Sequence, residues 1–167
     1  MNINFLAVLV AALVTLPIGF VWYHPKVFGS AWMKIIGATE ETMKQGANMG
    51  LIFGLSVVFA FLIAFSMNFM VIHQFAVTSL LAHNKEALLP GAKIELLLNG
   101  QSQDYINSFR TFKHGALHGF MGGLFFAMPL LANNALFERR GFKYIAINAG
   151  YWVVTMTIMG GMICAWR

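Results

Sequence analysis

Charge is scarce in this chain, and cysteine almost absent. Only 10% of the 167 residues are Asp, Glu, Lys or Arg, against about 25% in ordinary soluble domains. The six carboxylates, Glu40, Glu41, Glu86, Glu95, Asp104 and Glu138, all fall in loops or at their margins. A proton pump or cation carrier needs an ionisable group at membrane depth, so only histidines are left for that role. The single cysteine, Cys164, excludes an intrachain disulfide. Its setting, GGMICAW, offers no neighbouring base, and no hydrolase, kinase or dinucleotide signature occurs. The eleven Lys and Arg give a formal charge of +5 but are scattered and form no stripe. That distribution argues against nucleic acid and fits contact with lipid headgroups.

What the chain does have is apolar length. Hydrophobic residues make up 59% of it, and the mean hydropathy is +0.70. A bilayer core about 30 Å thick needs roughly 20 apolar residues in a helix. Four stretches qualify, at about 4–23, 47–72 with a possible extension to 82, 114–136 and 144–166. Backbone polar groups must pair internally in hydrocarbon, and these runs are too long for barrel strands. The expected fold is an all-α, four-helix membrane bundle in one domain, residues 1–167, placed in a bacterial cytoplasmic membrane. The first run lacks the basic start and small-residue cleavage site of a signal peptide and is read as a span.

Four crossings put both ends and the loop between spans two and three on one side, here side A. Side B holds the first and third loops. Lys and Arg divide five to side A and six to side B. The short basic FERRGFK turn tilts the positive-inside rule towards a cytoplasmic side B. In the first connection Phe28, Trp32, Ile35 and Ile36 follow helical spacing beside Lys34, which predicts a short interfacial helix. Thr39 before Glu40 and Glu41 reads as a helix start. No breaker lies between about Glu40 and Leu81, a length that must tilt, break or project. Pro90, Gly91 and Asn99-Gly100 mark turns in the side A loop, and Ser102 opens a further helix, which together predict a small extramembrane cap. Pro17 and Pro129 are expected to kink spans one and three.

Small residues recur every four positions: Ala7, Ala11, Thr15, Gly19, then Gly46, Gly50, Gly54, then Gly115, Gly119, Gly123. Such rows allow close helix approach in lipid, within one chain or between subunits. The most pointed chemistry is KHGALHGFMGG, where His114 and His118 lie one helical turn apart on one face, beside the Gly115 row. Topology brings His73 and His83, this pair, and Cys164 all towards side A. Imidazole and thiolate suit a zinc-type ion, and His73 facing His118 would suit a haem iron. Interfacial or hydrogen-bonded histidines are the plainer alternative. No cofactor is required by the sequence; a metal or haem at His73, His114, His118 and Cys164 is permitted by it.

In IGFVWYHPKVFGSAWMK, Trp22, Tyr23, Pro25, Phe28, Gly29 and Trp32 form a compact motif. Physically this is a structural corner: Pro25 disfavours helix at His24, aromatic rings anchor the span end, and Gly29 allows a tight reversal. The motif, together with HGALHGF, NALFERR and AINAGYW, resembles bacterial and fungal membrane proteins grouped as domain of unknown function 1761. The resemblance implies a small four-span membrane protein and supplies no activity. The functional expectation is a non-enzymatic bundle acting by association, as a homo-oligomer or as an accessory subunit of a larger membrane complex. A small-solute or ion pore lined by the amides and histidines of spans two and three, and a metal or haem protein at side A, stay open beside it.

Overall fold

The computed structural model describes residues 3–45, 48–81 and 107–166. Gly46, His83 and the expected side A cap lie outside the described residues. Among the described residues every regular element is a helix, and four helices are long and apolar enough to cross a bilayer: Phe5–Trp22, Met49–Val71, Phe112–Phe137 and Phe142–Ala165.

Span one consists of α1 (Phe5–Leu13) and α2 (Thr15–Trp22). Asn4 caps the start, its side-chain oxygen accepting from the Ala7 N–H at 3.1 Å. The interruption at Val14 follows from Pro17, which has no N–H to give the Leu13 carbonyl. A π-helical turn (Pro25–Gly29) then leads into α3 (Ser30–Ile36), the short interfacial helix, which ends at Gly37 with φ 72°. A left-handed residue of this kind is a favoured helix terminator.

The long run before span two does not form one helix. A capping box between Thr39 and Thr42 starts α4 (Glu40–Lys44), and Gln45 is extended. Asn48 then caps a new start, accepting from Leu51 N–H at 3.1 Å, for α5 (Met49–Val71). Ile72 is extended again, and α6 (Gln74–Leu81) follows. Breaking at Ile72–His73 resolves a length that the hydrocarbon core cannot contain.

Span three comprises α7 (Phe112–Gly122), a π-helical turn (Gly123–Ala127) and α8 (Met128–Phe137). The π turn lies just ahead of Pro129, where the missing N–H leaves an i−4 carbonyl to be accommodated. Span four is the continuous α9 (Phe142–Ala165), the central helix: half of its apolar window is buried inside the molecule, against 11% for α5.

Helix α9 lies against span three because the row Gly115, Gly119 and Gly123 carries no side chain at the contact. A Cβ on Gly115 would sit 2.1 Å from the Gly160 carbonyl oxygen, and one on Gly119 would sit 2.1 Å from the Met156 carbonyl oxygen. At Gly123 it would come within 2.6 Å of the Val153 Cα. The row in α5 differs. Gly50 and Gly54 are exposed, and a Cβ on Gly54 would meet nothing within 4 Å. Among the described residues those two glycines form no seam, because the first half of α5 stands off the bundle. Span one packs instead on the second half of α5, through buried Val8, Ala11 and Ala12 with Ala60, Ala64 and Met67.

At side B the corner is tied to α9. Trp22 Nε1 donates to the Ile147 carbonyl at 3.0 Å, and the Tyr23 hydroxyl donates to Asn148 Oδ1 at 3.0 Å. Trp22 stacks obliquely on Phe28 at 4.6 Å, and Tyr23 meets Trp32 edge-on at 5.3 Å. His24 is extended with Pro25 next in the turn. Gly29 serves differently from the expected reversal. Its φ is an ordinary −60°, but a Cβ there would lie 2.1 Å from the Tyr23 carbonyl oxygen, so close approach is what demands glycine.

Candidate metal centre at side A

Three histidines converge where α5 breaks and α7 begins. His114 and His118 ride one turn apart on α7, whose start is fixed by Thr111, its hydroxyl oxygen accepting from the His114 N–H at 3.3 Å. His73 arrives from the other span, in the two-residue break after α5, where its carbonyl accepts from Ala76 N–H at 3.1 Å to open α6. Their ring centroids lie 4.6–4.8 Å apart. One nitrogen from each ring falls within 4.8 Å of the others, and His73 Nε2 stands 3.1 Å from His118 Nε2. His73 is exposed, and the other two are half-buried. His114 Nε2 is itself buried and has no hydrogen-bond partner among the described residues.

Two imidazole nitrogens at 3.1 Å either share one proton or face one electrophile. Among the described residues no carboxylate joins the group, and Phe109 covers it, its ring 5.3 Å from His114 and 6.4 Å from His73. Phe109 holds a positive φ of 61°, uncommon for a bulky residue and found chiefly where surroundings over-determine the backbone.

Cys164 is near but turned away. Its thiol donates to the Val71 carbonyl at 3.4 Å and the Phe109 carbonyl at 3.3 Å. It lies against Gly115, so the α7–α9 seam sets its direction. The thiol therefore tethers the two segments that carry His73 and Phe109, and the convergent set is three histidines without it. Arg110, which the sequence did not single out, completes the frame: Nε donates to the Cys164 carbonyl at 2.7 Å and Nη2 to the Trp166 carbonyl at 2.5 Å. A guanidinium at the open end of α9 satisfies carbonyls that have no helical partner. Its only sequence signal was to be one of two cations, with Lys113, just ahead of span three.

A profile of proteins of unknown function, DUF1761, matches residues 6–164. The chain belongs to the DUF1761 family. No curated protein and no solved structure matches it. As a DUF1761 member with four membrane-competent helices, it is a multi-pass membrane protein in contact with lipid.

Proposed function

We propose that this DUF1761 protein binds a divalent transition-metal ion of the zinc type through His73, His114 and His118, at the side A face of a bacterial cytoplasmic membrane. The observation that carries the reading is the meeting of three imidazoles from two spans, one of them with a buried, unpartnered nitrogen. A tetrahedral ion with bonds of about 2.0 Å holds its ligand nitrogens roughly 3.3 Å apart; the His73–His118 separation of 3.1 Å is close to that. Neutral nitrogen donors favour zinc, copper, nickel or cobalt over magnesium and calcium, which prefer oxygen. Three protein ligands would leave a fourth position for water or a solute.

A bare ion suits the cluster better than haem. Axial imidazoles on opposite faces of a haem iron would hold their nitrogens about 4 Å apart with the macrocycle between them. Rings with centroids at 4.8 Å leave no slot of that kind. A pore is less favoured because Asn68, one of the span-two amides expected to line it, is buried and turned back on its own helix, its Nδ2 donating to the Ala64 and Phe65 carbonyls.

The test is competition titration of untagged purified protein with zinc against a coloured chelator. One tight site per chain is expected, weakened in His73→Ala and His118→Ala and not displaced by magnesium. Equal affinity in the triple alanine variant would remove the proposal.

A second reading, action by association as a homo-oligomer or accessory subunit, is favoured by α5, which is only 11% buried and carries Gly50 and Gly54 on exposed positions. Its measurement is the native mass in mild detergent. A monomer without partners contradicts it and leaves the metal reading untouched.

A further inference from the structure

Apart from the His73, His114 and His118 cluster, on the side B half of the bundle, a cavity of about 580 Å³ opens between spans one, two and four. This lies within the roughly 300–1,000 Å³ of small-molecule sites. One wall is α2, with Leu16 and Gly19; another is the outlying half of α5, with Phe53 and Phe59; Trp152 of α9 forms the back, and His24 closes the end at the corner. Phe53 and Phe59 are exposed, so the cavity is continuous with the bilayer-facing surface of α5.

Its polar groups are unequally available. The Tyr151 hydroxyl donates to the Thr15 carbonyl at 3.0 Å, the Ser56 hydroxyl to the Ile52 carbonyl at 2.8 Å and the Tyr23 hydroxyl to Asn148. Their protons are spent within the chain, which makes the deep part apolar to a guest. His24 differs. Its Nδ1 accepts from the Lys26 N–H at 3.2 Å, which in the neutral ring leaves the proton, and so a donor, on Nε2. The Lys26 ammonium follows on the exposed surface two residues later. The cavity thus has an apolar shaft and, at the corner, one N–H donor on His24, with exposed Lys26 two residues along the chain, just outside the lining.

We propose that this cavity seats one phospholipid from the side B leaflet, with an acyl chain between α2 and α5 and its anionic headgroup at His24 and Lys26. The polarity runs as a lipid's does, hydrocarbon at depth and an acceptor-rich phosphate at the surface. This inference stands apart from the metal site and shares no residue with it.

The experiment is native mass spectrometry of protein released from its membranes in mild detergent, with phosphatidylglycerol and phosphatidylcholine then offered in turn. One phospholipid per chain should survive detergent removal, with phosphatidylglycerol preferred. Ser56→Trp, which fills the shaft from α5, should lose it, and so should Gly19→Leu from the opposite wall, where a Cβ meets only ordinary contact at 3.6 Å. His24→Ala with Lys26→Ala should keep a lipid but lose the preference. Leu62→Trp, exposed on α5 away from the cavity, should behave as wild type. A bare wild-type chain, a free fatty acid in place of a phospholipid, or full retention by both filling variants with unchanged melting would overturn the proposal.

Discussion

Truncating His118 to alanine removes the imidazole whose nitrogen stands 3.1 Å from that of His73 and would leave two of the three proposed ligands. Changes to mere outer-shell partners of a metal cost about 10–100-fold in affinity, so losing a ligand should cost at least tenfold, read by the zinc competition titration. Acidification acts in the same direction, because a protonated imidazole cannot ligate and binding must release protons. Zinc affinity should fall steadily as the pH is lowered. Cys164→Ser should keep most of the affinity, since the thiol points at the Val71 and Phe109 carbonyls. Tyr23 makes a separate prediction. Burial chiefly, then the neighbouring phenols of Tyr151 and Tyr144, holds its hydroxyl well above the usual range. A folded pKa above the unfolded one means that the stabilisation is complete below pH of about 10 and is lost as the pH rises beyond it. The melting temperature should therefore decline in alkali, and less steeply in Tyr23→Phe. That variant also loses the bond to Asn148, at a cost of about 1 kcal/mol at neutral pH.

Among elements, the two glycine rows behave oppositely although they look alike in the sequence. Gly119→Ala forces a methyl group onto the Met156 carbonyl, and overpacking against backbone costs about 1–3 kcal/mol. Gly54→Ala meets nothing within 4 Å and gains up to about 1 kcal/mol of helix propensity. Thermal melts in one detergent should show Gly119→Ala below wild type and Gly54→Ala level with it or above. Period-four spacing tells which residues share a helix face but not what opposes that face, so the sequence could not separate the rows. The helix breaks were partly legible. Pro17 and Pro129 mark the irregular points of spans one and three, and the excess length of the second run required a break somewhere. Its position at Ile72–His73 depends on how α5 meets α7, which is a tertiary matter.

For the molecule as a whole, four crossings place the α3 corner on side B and the start of α7 on side A. Cysteines introduced at exposed Ser30 and Thr111 should react with an impermeant thiol reagent from opposite faces of sealed vesicles. Buried Cys164 should stay silent and serve as the internal control. The convergence of His73 with His114 and His118 was legible for the same topological reason, because connected helix ends on one side must be neighbours in a small bundle. The exclusion of Cys164 was not, since it follows from the rotation of α9 that the Gly115–Gly160 contact imposes.

The central claim is that these three histidines together hold an ion. Its most direct measurement is the metal content of untagged protein purified from zinc-replete cells, beside the variant with alanine at all three positions. The account predicts close to one transition-metal ion per wild-type chain and almost none in the variant. Equal metal in both, or none in either after zinc is supplied, would contradict it.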